Sequence, residues 1–127
     1  MRHDFPDVTP IDGLALTLFA LASDQSVRVM EALAAAITNR AGLHPAGSNA
    51  SLPDDVQQAK VIGQTRTLAE PGPRLVLCRR IARRALRGTL VDPSGGATAF
   101  HRVEASPSWS QNLLPVAMLG PFLFYRP

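Results

Sequence analysis

The sequence predicts a mainly helical α+β fold, with helices followed by a small C-terminal antiparallel β-hairpin or sheet. Three observations predict it. Apolar residues recur at helical spacing, between capping residues, through most of the chain before residue 88. Beyond Asp92-Pro93-Ser94-Gly95-Gly96 the pattern changes to short runs rich in β-formers. A length of 127 residues, 46% of them apolar, is enough for one hydrophobic core and too short for two, so a single domain over residues 1–127 is expected.

Thr9 is placed to cap a first helix, with Pro10 at its first position and Asp12 putting negative charge where free N–H groups point. Ser23-Asp24-Gln25-Ser26 then forms a polar break. Val27 to Arg40 reads as a second helix ending at Gly42, in which Val29, Leu33, Ala36 and Ile37 share a face and the run Ala34-Ala35-Ala36 allows close approach of another backbone. Residues 43–53 turn to His, Pro, Gly, Ser and Asn, the composition of a surface loop, and Pro53-Asp54-Asp55 opens a short helix through about Ile62. Residues 67–73, with Glu70-Pro71-Gly72-Pro73, are a second loop. Arg74 to Arg87 is a two-faced helix: Leu75, Cys78, Ala82 and Ala85 point inward, Arg79, Arg80, Arg83, Arg84 and Arg87 point out, and Gly88 ends it. Strands are expected at Thr98–Val103, Val116–Leu119 and Phe122–Tyr125, the last two joined by a Gly120-Pro121 turn.

Composition removes several function classes. The net charge is only +3, although all but one of the 13 basic residues are arginine, so nucleic acid is an unlikely partner by overall charge. The single cysteine, Cys78, excludes an internal disulfide and a cysteine-rich zinc site, and His3, His44 and His101 are too scattered for a metal motif; no metal or other cofactor is expected. The longest apolar stretch, Gly13 to Ala22, is half of the roughly 20 residues that span a bilayer, so no transmembrane segment is expected. Ala20-Leu21-Ala22 has the form of a signal-peptide cleavage site, but Asp4, Asp7 and Asp12 precede it where a leader carries positive charge, and the segment reads as a first helix.

The charge feature that stands out is the run from Arg74 to Arg87, six arginines with no acid between them. It is either a solvated outer face or a contact surface for an anionic or protein partner. His101, near Glu104 and Ser106, lacks the spacing of a hydrolase triad and a nucleophile elbow. Trp109 is either a sugar-stacking platform or a core anchor. The Asp92–Ala97 turn leads into a strand and has no lysine, which excludes a P-loop.

Taken in order, Asp92-Pro93-Ser94-Gly95-Gly96-Ala97-Thr98-Ala99-Phe100-His101, Pro107-Ser108-Trp109, Leu119-Gly120 and Leu123-Phe124-Tyr125-Arg126 closely resemble the C-terminal signature of SleB-type cell-wall hydrolases. Upstream, Cys78-Arg79-Arg80-Ile81-Ala82 and Asn39-Arg40 are similar to further family segments. The resemblance implies a lysozyme-like α+β domain acting on peptidoglycan glycan strands at the cell wall or periplasm, usually as a lytic transglycosylase. In that chemistry one glutamic acid protonates the glycosidic oxygen and then serves as base, while the muramoyl hydroxyl attacks to give an anhydro sugar; its carboxyl has to be protonated near neutral pH. The resemblance also makes His101, Trp109 and Tyr125 either the candidate substrate-binding surface, lining a glycan-facing cleft, or equally the packing signature that defines the fold.

The family carries its catalytic glutamate at the end of the first helix. Counting back from Asn39-Arg40 without gaps puts Leu21 there, and Gln25 at a second acidic position. Neither is a carboxylic acid. The aromatic-Gln-Phe-Ser segment typical of the family's middle is also missing. Asp24, Glu31 and Glu104 are the remaining candidates for a relocated acid. The reading is therefore a family member with weak or no catalysis; the alternative is a non-enzymatic binding or structural protein that uses the Arg74–Arg87 face. A candidate carboxyl lining a cleft with a raised pKa favours the enzyme, and Leu21 closing an apolar pocket favours the alternative.

Overall fold

The computed structural model describes residues 9–42 and 72–127. Three helices, α1 (Pro10–Ala22), α2 (Val27–Ala41) and α3 (Pro73–Leu86), precede a sheet of β1 (Ala99–Arg102), β2 (Ala117–Leu119) and β3 (Phe122–Tyr125), with a 3₁₀ turn at Ser108–Ser110. The loop expected over 43–53, the helix expected from Pro53 and all but the last two residues of the 67–73 break lie outside the described residues.

Each helix begins and ends for a local reason. The Thr9 hydroxyl accepts the Asp12 backbone N–H at 3.1 Å to start α1, and the Ser26 hydroxyl accepts that of Val29 at 3.3 Å to start α2. Helix α2 stops at Gly42, whose φ of 67° turns the chain left-handed while its N–H bonds back to the Thr38 and Asn39 carbonyls. Helix α3 has no side-chain cap. Its start is held instead by Arg74, whose guanidinium donates to the Ser23 carbonyl at 2.6 Å and to the Gln25 carbonyl, both in the α1–α2 turn.

The core lies where α1, α2 and α3 meet the inner face of the sheet. Leu14, Leu18, Met30, Leu33, Ile37, Leu75, Ile81, Phe122 and Phe124 are all fully buried in it. Ile81 joins Leu75, Cys78, Ala82 and Ala85 on the inner face of α3, an addition to the face read from the sequence. The buried alanines of α2, Ala32, Ala34 and Ala36, leave room for close packing, as the Ala34-Ala35-Ala36 run predicts. Removing one of the buried leucines costs about 2–5 kcal/mol, the usual sum of lost transfer energy and a residual cavity.

Strands β1 and β2 are shorter than expected and β3 has the expected bounds; their order is β1-β3-β2, so β3 is central and antiparallel to both neighbours. The expected hairpin is present as β2–β3, turned by Gly120-Pro121. Gly120 has φ 55°, and a Cβ there would come within 2.9 Å of Val29 Cγ2 and 3.1 Å of Gln25 Oε1. The turn can seat against the start of α2 only with glycine at that place. Pairing of Phe100 with Phe124 and of Arg102 with Phe122 puts the phenylalanines on one face, and His101 with Leu123 and Ala99 with Tyr125 on the other.

Candidate active site

The outer face of the sheet gathers three aromatic rings from separate parts of the sequence. His101 comes from β1 and Tyr125 from β3, and their rings stack with centroids 5.3 Å apart at 24°. Trp109, in the 3₁₀ turn after Pro107, stands edge-on to both, at 5.6 Å from His101 and 5.3 Å from Tyr125. Tyr125 is buried and Trp109 is 44% exposed, so the cluster has a fixed base and an open rim.

Its hydrogen bonds fix the histidine tautomer. His101 Nδ1 lies 2.6 Å from the Arg102 carbonyl oxygen, which can only accept, so Nδ1 carries the proton. Nε2 of the neutral ring then accepts the Tyr125 hydroxyl proton across 2.9 Å. Beside the cluster opens a groove of about 500 Å³ lined by Arg40, Thr98, Phe100, Trp109, Leu113 and Pro127.

A second polar cluster positions β1. Asp92 accepts from the Ser94 backbone N–H at 2.8 Å, the Ser94 hydroxyl at 2.6 Å, the Gly96 N–H at 3.0 Å and Asn39 Nδ2 at 3.0 Å. Asn39 Nδ2 also donates to the Ala97 carbonyl. Burial pushes the Asp92 carboxyl upward, but the hydrogen bonds from Ser94, Asn39 and Gly96 outweigh it and hold the carboxyl below its usual range. The arrangement locks the turn before β1 onto the end of α2.

Leu21 is half-buried near the end of α1 and packs against the core. Gln25 sits in the following turn, with its amide donating to Asp24 at 3.3 Å. Asp24 is exposed. Glu31 lies 3.8 Å from Arg84, and Glu104 accepts from Arg102 at 2.8 Å. The Arg102 guanidinium holds Glu104 below the usual carboxylate range, the opposite of what a general acid needs. Among the described residues, none of these three carboxylates hydrogen-bonds to the aromatic cluster, and no group of three metal-ligating side chains occurs. The structure thus brings the rings of His101, Trp109 and Tyr125 together, with Glu31 and Glu104 facing arginines instead.

The arginine face is smaller than its sequence suggests. Arg74 is taken up by the carbonyls of the α1–α2 turn, Arg79 pairs with Asp12 at 2.9 Å, and Arg84 with Glu31. Acids from α1 and α2 supply what the helix's own sequence lacks, so Arg79 is half-buried where an outward position was expected. Arg80, Arg83 and Arg87 are exposed, with no partner among the described residues.

Residues 24–125 match the family model described as Cell Wall Hydrolase. The chain belongs to the cell-wall hydrolase family. The match begins at Asp24, three positions past Leu21, and takes in the C-terminal signature as far as Tyr125. The fold is similar to that of the catalytic domain of the Bacillus cereus SleB protein, with a TM-score of 0.60 at 18% identity, covering 99% of this chain and 98% of that one. A search of the curated proteins finds no match. Within this cell-wall hydrolase fold, the contact that the sequence did not disclose is the Asn39–Asp92 bond. Both residues stand in signature segments, and the Asp-x-Ser-x-Gly order that makes the Asx turn was the available signal.

Proposed function

We propose that this chain is a single cell-wall hydrolase domain that holds peptidoglycan glycan strands on the His101, Trp109 and Tyr125 surface and cleaves them weakly or not at all. The observation that carries this is Leu21, an apolar side chain packed on the core where the resemblance expects the general acid. Protonating a glycosidic oxygen needs a carboxyl placed at the bond and kept neutral. Asp24 is exposed, Glu31 lies beside Arg84, and the Arg102 guanidinium holds the Glu104 carboxyl below its usual range. A half-exposed indole with polar neighbours suits a sugar ring, whose apolar C–H face stacks on the aromatic face and whose rim is hydroxylated.

Co-sedimentation with purified sacculi tests the binding half of this reading. Wild-type protein should pellet with sacculi, and Trp109→Ala should weaken that by about tenfold, about 1.4 kcal/mol. Equal pelleting of the variant would remove the aromatic surface from the account. Failure of both to pellet would favour the second reading, in which Arg80, Arg83 and Arg87, without acidic partners among the described residues, contact an anionic or protein partner.

A further inference from the structure

The groove beside the aromatic cluster differs from it in chemistry, and no part of the reading above uses it. Its lining combines apolar residues, Phe100, Leu113 and the exposed Trp109, with Arg40 and Thr98. Arg40 is exposed in the last turn of α2 and has no hydrogen bond or ion pair among the described residues. Its neighbour Asn39 is fixed by two hydrogen bonds, to Asp92 and to the Ala97 carbonyl, so the backbone that carries Arg40 is held in place.

A guanidinium without a partner among the described residues, in a groove that also has apolar lining, selects a ligand that has both a carboxylate and an apolar or sugar face. We infer that this groove binds the carboxylate-bearing peptide stem of a peptidoglycan muropeptide, with Arg40 pairing a stem carboxylate, Thr98 donating a supporting hydrogen bond, and Trp109 shared with the glycan surface. The inference rests on the peptidoglycan reading above and deepens it. A glycan strand carries neutral hydroxyl and acetamido groups along most of its length, whereas the stems carry free carboxylates. The domain therefore prefers glycan that bears stems over bare glycan.

Titration calorimetry with two soluble probes tests this: a disaccharide-tetrapeptide, and a chito-oligosaccharide without carboxylates. Wild-type protein should bind the muropeptide more tightly. Arg40→Gln should weaken muropeptide binding by about tenfold and leave the chito-oligosaccharide unchanged. Arg40→Lys, which keeps the charge at the helix end but not the planar fork, should fall between the two for the muropeptide, and thermal melts of both variants should stay near wild type because Arg40 is exposed. Equal muropeptide affinity for wild type and Arg40→Gln would overturn the inference while leaving the glycan reading intact. Wild-type protein that binds neither probe would overturn both.

Discussion

Asn39, at the end of α2, and Asp92, 53 residues later in the turn before β1, are joined by a hydrogen bond of 3.0 Å. That bond closes a cluster in which one carboxylate accepts from Ser94, Gly96 and Asn39 together. Two members of the aromatic cluster follow from this placement, because β1 delivers His101 and β3 pairs along β1 to deliver Tyr125.

Asp92→Asn keeps the size of the side chain but replaces one acceptor oxygen with a donor, so it sets a donor against donors. We expect a loss of about 1–3 kcal/mol in urea unfolding. The pH dependence follows from sign: the Asp92 pKa is lower folded than unfolded, so its stabilisation is present above about pH 4 and is lost as pH falls through the folded value. The variant should lose stability less steeply than wild type on the acid side. Parallel acid limbs for the two proteins would contradict the assignment.

Arg74 replaces a side-chain cap by donating from α3 into the turn between the other two helices. Hydrogen bonds from a charged donor are worth about 1.5–3 kcal/mol, so Arg74→Ala should destabilise by that order, while Arg80→Ala, on the exposed face, should change stability by less than about 0.5 kcal/mol. Thermal melts of the two variants check the contrast. Equal effects would mean that the α3 arginines act only through their common charge.

Cys78 is fully buried beside Met30, with its sulfur 4.0 Å from the thioether. Burial pushes its thiol up to about 11, partly opposed by the nearby Arg74 charge. At pH 8 the native protein should therefore react with a thiol reagent only through opening of the core, at a rate that rises steeply in urea. Rapid labelling without denaturant would show that α3 is not seated as described. Because an unfolded thiol ionises near 8.5, this group lowers stability progressively from there to about pH 11.

Tyr125→Phe removes the hydroxyl proton that His101 Nε2 accepts and leaves the buried ring in place. A cost of about 1 kcal/mol is expected, with a loosened His101 ring that proton NMR reports as broadened or shifted imidazole signals. Unchanged imidazole signals would separate the two residues.

The helices were legible because their signals are local: Thr9 as a cap, the polar break before Val27, Gly42 as a stop, and apolar spacing that matches the buried faces of α2 and α3. The change to strands after the Asp92–Gly96 turn was equally plain. What could not be read were relations between distant segments. The central place of β3, the pairing of Arg79 with Asp12 and of Arg84 with Glu31, and the Asn39–Asp92 bond all depend on which elements become neighbours in space. His101, Trp109 and Tyr125 were named one by one through a resemblance, and the folded sheet brings them into one cluster. Arg40 was visible only as half of an Asn-Arg pair, because its groove forms from residues 98–127 as well as from its own helix.

The proposal that Leu21 leaves this domain without an effective general acid is tested by mass spectrometry of the products released from sacculi. Wild-type protein should release no more anhydro-muropeptides than an Asp24→Asn, Glu31→Gln, Glu104→Gln triple variant. Robust release by wild type that the triple variant abolishes would contradict the account and assign the acid to one of those three residues.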